Sequence, residues 1–179
     1  LGSEMDFFYD GGTQVRPEKR MSQKYEAGIM QFLAALDSLD FILLQEVDVD
    51  SRRSYHSDQL EQVRQIFNEK YAGFAMNYNV SYVPVPYYAP LGKVTSGIAT
   101  LSSVRPITSE RRAFTGNYSW PVSLFMLDRC YMINRYPLEH NKELVVINTH
   151  NSAFDDGSLR KEQLDALRRI MLEEYKKGN

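Results

Sequence analysis

Two apolar runs, each ending abruptly in hydrogen-bonding side chains, constrain the fold of this chain more than anything else in it. Phe41-Ile42-Leu43-Leu44 leads straight into Gln45-Glu46, and Leu144-Val145-Val146-Ile147 leads straight into Asn148-Thr149-His150. Short continuous apolar runs suit strands buried on both faces, because such strands need no polar side for solvent. The carboxyl ends of strands in layered α/β proteins open into the crevice where ligands bind. If the two strands are spatial neighbours, Glu46 and His150 converge although 104 positions separate them.

The rest of the chain supplies layers to cover these strands. Arg20 to Leu36 carries Met21, Tyr25, Ile29, Phe32, Leu33 and Leu36 at helical spacing, which predicts an amphipathic helix. Asp58 to Asn68 predicts a second helix, with Ser57 or Asp58 as N-cap and Leu60, Val63, Ile66 and Phe67 as its buried face. Strands are expected over 73–80, 96–101, 105–114, 127–136 and 143–148, the last two joined by a hairpin loop over 137–142. Pro84, Pro86 and Pro90 make 83–92 a loop. Ser158 is the expected N-cap of a last helix reaching Tyr175, with Leu164, Leu167 and Met171 buried. Hairpin-spaced strands mixed with helices predict an α/β layered sandwich with a mixed sheet.

With 179 residues, 43% of them hydrophobic, one domain over 1–179 with a substantial core is expected. The single cysteine, Cys130, excludes an internal disulfide framework and reads as a small core residue. No apolar run approaches the ~18 residues that span a membrane. Leu1 to Glu4 has neither a basic nor an apolar leader region, and a trimmed chain would lack one too, so the compartment stays open. The net charge of −2 does not favour a grip on long nucleic acid. No protein partner is evident.

Glu46, with Asp48 and Asp50 nearby, is a candidate oxygen ligand for Mg²⁺; the alternative is a solvated acidic loop. His150 is placed to hydrogen-bond a phosphate oxygen or to exchange a proton; the alternative is an imidazole satisfied by a neighbouring carbonyl. His56 and His140 are expected at the surface. The pairs Arg52-Arg53, Arg111-Arg112 and Arg168-Arg169 read as solvated faces.

"LLQEVD" together with "VINTHNSAFD" resembles the endonuclease/exonuclease/phosphatase superfamily of DNase I-like metal-dependent phosphoesterases. "SGIATLSS" resembles that family's Gly-containing strand with its Leu-Ser end, and "LDRCYMINRY" its strand that begins with an arginine, here Arg129. All four motifs stand in the family's order. The resemblance covers nearly the whole chain, weakest before Arg20 and between Tyr78 and Leu91.

The resemblance implies metal-assisted phosphoester hydrolysis. Glu46 would be the metal ligand for Mg²⁺ or Mn²⁺, and His150 the phosphate-contacting group. Arg129 would reach the phosphate or pair with an acidic neighbour. Asn148 and Asp155 are secondary candidates, to fix the strand end and to order the following loop; a purely structural role is as well supported for both. The family's first-strand Asn, its Gly-Asp-x-Asn and its Ser-Asp-His are absent. The expectation is therefore a catalytic domain cut at both ends and inactive alone, with the water-activating base lying elsewhere in the parent protein. The substrate expected is a small phosphoester or a lipid headgroup before a nucleic acid. Tyr82, Tyr87, Tyr88 and Trp120, in the loops, are candidates to stack on a base or sugar or to meet a membrane surface. The competing reading is a binding module that keeps the sandwich without the catalysis.

Overall fold

The computed structural model describes residues 12–36, 38–115, 127–152 and 157–179. Among the described residues, three α-helices and six strands follow in the order α1 (Lys19–Ala34), β1 (Phe41–Asp48), α2 (Gln59–Ile66), β2 (Tyr71–Val83), β3 (Gly92–Ser102), β4 (Thr108–Ala113), β5 (Cys130–Pro137), β6 (Glu143–Thr149) and α3 (Ser158–Lys177). The strands form two three-stranded sheets, β1-β3-β2 and β4-β5-β6.

The layers follow from which faces are apolar. α1 and α2 cover the outer face of the first sheet, where Met30, Leu33, Val63 and Phe67 pack on Ile42 and Leu101, and Leu60 packs on Val47 and Ala99. α3 covers the outer face of the second sheet through Leu167, packed with Phe114, Tyr131 and Ile133. Between the sheets lie Ala75, Ile98, Cys130 and Met132, with Phe41 edge-on to Tyr136 at 5.0 Å. The result is an α/β/β/α sandwich. Each fully buried Val, Leu or Ile in it contributes about 1.5–3 kcal/mol of transfer free energy. Among the described residues, no helix is long and apolar enough to cross a membrane.

Several expectations change. Every strand pairing found here is antiparallel, because the β2–β3 and β5–β6 hairpins build both sheets; the expected mixed sheet is not formed among the described residues. The strands buried on both faces are the central ones, β3 with residues 96–102 all buried and β5 with residues 130–134 all buried, rather than β1 and β6, which are edge strands. β1 lies at the sheet's edge and leaves Leu43 exposed. On α3, Leu167 is buried as expected, but Leu164 and Met171 face solvent, and Gln163 and Glu174 are buried in their place. Glu174 is held inside by Arg135, at 2.8 and 2.9 Å. Gly157, at φ +93°, occupies the cap position expected for Ser158.

α2 forms as expected: Asp58 Oδ1 accepts the Glu61 amide at 2.9 Å, satisfying one of the orphan donors of the first turn. Cys130 is buried between the sheets.

Candidate active site

β1 does not stop at Leu44. Its register against β3 jumps from Leu44↔Ala99 to Val47↔Gly97, so two residues, Gln45 and Glu46, oppose one. This is a β-bulge, and Glu46 takes the left-handed conformation at φ +54°, one that costs a non-glycine residue of order 1 kcal/mol. The bulge lets Leu44 and Val47 both pack on the α2 side of the sheet. Gln45 and Glu46 are thereby delivered to the end of β6.

There the two sheets meet through hydrogen bonds. Gln45 Nε2 donates to Asn148 Oδ1 at 2.9 Å. Asn148 Nδ2 lies within reach of Ala99 O at 2.8 Å, Thr100 Oγ1 at 3.2 Å and Leu44 O at 3.3 Å. Asn148 is fully buried, so these bonds replace the water it gave up. One turn of chain further, His150 Nε2 stands 3.5 Å from Glu46 Oε1, with Glu46 half exposed at 52% and His150 at 23%. Arg129, immediately before β5, donates through Nη1 to the backbone carbonyl of His150 at 3.1 Å. The structure thus brings together Glu46, Asn148, His150 and Arg129. Asp155 and Trp120 lie outside the described residues.

The other acidic neighbours of Glu46 are engaged. Asp48 is buried and gripped by the Arg53 guanidinium, with Nη2 and Nε at 2.9–3.2 Å, and its amide donates to Gln59 Oε1 at 3.0 Å. Burial opposes the Arg53 charge, but the Asp48 carboxylate, helped by Glu46, holds its pKa above the ordinary value. Asp50 is tied to Lys93 and to His56, which hold its carboxyl below its ordinary range, Lys93 foremost. Arg53, read from the sequence as a solvated face, is therefore part of the floor of the site. Its one sequence signal was its place five residues after Asp48.

Burial pushes the His150 pKa down, and the Arg129 and Arg53 charges add to this while Glu46 pulls the other way. The neutral imidazole is the favoured form. Its Nδ1 is buried with no hydrogen-bond partner.

Among the described residues, no group of three His, Cys, Asp or Glu side chains converges on one point. That excludes a preformed cage of the zinc type there. It does not conflict with Mg²⁺, which is held by one or two carboxylates together with water and substrate phosphate oxygens. Glu46, half exposed on a strained bulge, is a carboxylate that fits such an ion.

No protein-family model matches the chain, and no curated protein sequence matches it. Solved structures do. An endonuclease/exonuclease/phosphatase from Beutenbergia cavernae DSM 12333 matches over 81% of this chain at 21% identity, with a TM-score of 0.56. An endonuclease/exonuclease/phosphatase family protein from Leptotrichia buccalis C-1013-b matches over 88% at 14% identity, with a TM-score of 0.53. The chain spans 37% and 59% of the lengths of those two chains. These likenesses establish the fold.

Proposed function

We propose that this chain, folded as an endonuclease/exonuclease/phosphatase sandwich, supplies part of the active site of a divalent-metal-dependent phosphoester hydrolase. The observation that carries the reading is the 3.5 Å approach of His150 Nε2 to Glu46 Oε1, made by strands of different sheets and held on a strained bulge. A left-handed non-glycine residue costs free energy, and such residues cluster at active sites.

In this reading Glu46 holds Mg²⁺ or Mn²⁺, which when bound would neutralise charge on the phosphate. Neutral His150 presents one ring N–H to a non-bridging phosphate oxygen. Arg129 positions His150 by fixing its carbonyl. Asn148 and Gln45 lock the ends of β1 and β6 together so that the first two groups keep their separation. Asp48 and Arg53, paired with one another, form the floor. The water-activating base in this reading is a group other than those described, and the activity proposed is that of the whole protein. With a net charge of −2, the substrate is a small phosphoester or a lipid headgroup before a nucleic acid.

The test is Mg²⁺-dependent release of nitrophenolate from bis(p-nitrophenyl) phosphate by the whole protein, with Glu46→Gln and His150→Ala alongside. The reading expects metal-dependent turnover that falls at least about a hundredfold in each variant, the loss of one transition-state contact. Turnover unaffected by both substitutions would remove Glu46 and His150 from the site.

A further inference from the structure

On the other side of the turn that carries Arg53 lies a cavity of about 300 Å³, lined by Thr13, Arg16, Arg52, Tyr88, Pro90 and Leu91 among others. Two guanidinium groups share this lining, and among the described residues that line it none carries a carboxylate. Asp50, two residues before Arg52, is already tied to Lys93 and His56, and Glu18, two residues after Arg16, is not among the lining residues. Like charges gathered without a counter-charge raise the local potential, and an anion entering the cavity lowers it.

Arg52 is built into place rather than left loose. Its Nη1 donates to Pro90 O at 3.0 Å, using one of the five donors of the guanidinium. Its stem lies so close to Gly92 that a Cβ there would sit 2.7 Å from Arg52 Cδ. Gly92 itself holds φ +74°, which suits glycine. Arg16 is fixed from the other side, with Cζ 5.2 Å from the centre of the Tyr55 ring, whose hydroxyl donates to Pro17 O at 2.7 Å. Tyr88, largely exposed, borders the opening and meets Tyr87 edge-on at 5.7 Å.

We infer that this cavity is a second anion-binding site, taking the phosphate group of a small phosphorylated ligand between Arg16 and Arg52 with Tyr88 at its mouth. A guanidinium fork matches phosphate oxygens in geometry as well as charge, and the volume stands at the small end of ligand pockets, about 300–1,000 Å³. The site is separate from Glu46 and His150. Gly92 lies five residues before Gly97 on β3, about 17 Å at the rise of an extended strand, and Gly97 is the residue that pairs beside the bulge. The inference does not depend on hydrolysis or on a metal.

The test is a titration of the chain with inorganic phosphate, metal-free and at constant ionic strength, following the arginine Nε–Hε resonances by NMR. Arg16 and Arg52 should shift together along one saturating curve, and Arg52→Gln should raise the midpoint read at Arg16 at least tenfold. Arg16→Gln, on a different segment, should do the same to the midpoint read at Arg52. Shifts that never saturate, or midpoints unmoved by either variant, would overturn the site. Sedimentation with vesicles then separates the sources of the phosphate. Binding to phosphatidic acid vesicles and not to phosphatidylcholine ones, lost in Arg52→Gln, assigns a lipid headgroup, and saturable phosphate binding without sedimentation assigns a soluble ligand.

Discussion

Gln45 and Asn148, 103 positions apart, exchange a side-chain hydrogen bond of 2.9 Å across the two sheets, and each stands within two residues of a group proposed to act on phosphate. That bond holds the distance between Glu46 and His150, so the stability of the strand ends and the geometry of the site are one property.

Asn148→Ala is expected to destabilise the chain by about 2–4 kcal/mol, since it strips a buried hydrogen-bonded network of its central member. The measurement is urea unfolding followed by circular dichroism. A loss below about 0.5 kcal/mol, the scale of an ordinary surface substitution, would show that the network carries little of the junction.

Glu46→Gly should behave in the opposite way. Glycine adopts φ +54° without the Cβ clash, so stability should hold or rise by up to about 1 kcal/mol. The same change should abolish Mn²⁺-induced broadening of the His150 ring resonances. A folded variant that still shows the broadening would place the metal elsewhere.

Gly97→Ala is expected to cost about 3 kcal/mol, by overpacking a full interior. An added Cβ would stand 2.4 Å from Ala75 O and 2.6 Å from the Phe74 ring, and backbone cannot step aside as a flexible side chain does. Thermal unfolding of the variant reads this directly.

Acid should weaken the seat of α3. Arg135 foremost, with Lys177 and Asn179, holds the Glu174 carboxyl far below its ordinary value of 4.5. A carboxyl with a depressed folded pKa contributes stability that is complete above its unfolded value and is lost as pH falls toward the folded one. Unfolding free energy should therefore drop below pH 4.5 more steeply in the native chain than in Glu174→Gln. At neutral pH that variant should be about 2 kcal/mol less stable, the scale of hydrogen bonds to charged groups. Equal acid slopes in the two chains would refute the assignment.

The sequence showed the strand ends plainly, because an apolar run that stops at Gln45-Glu46 or at Asn148-Thr149-His150 is a local pattern. It showed α2 equally well, with Asp58 at its cap. It misled on α1 and α3. There Phe32 and Met171 point outward, while Glu26 and Gln163 go inward because partners await them: Ser57 and Gln62 for Glu26, Ser152 for Gln163. Hydropathy ranks residue types and cannot register a partner 31 or 36 positions away. The bulge at Glu46 was hidden for a similar reason, since it exists only in the register between β1 and β3. Arg53 looked like a solvated charge until the turn after β1 folded it back on Asp48.

Each sheet is drawn from one unbroken stretch of chain, β1 to β3 from residues 41–102 and β4 to β6 from 108–149. Either stretch could complete its own ladders while Glu46 and His150 remained strangers. The pair meets only when one half of the molecule docks on the other, so the site reports on that docking. Any probe of the Glu46–His150 distance accordingly reads the joining of the halves and is blind to the ladders within either one.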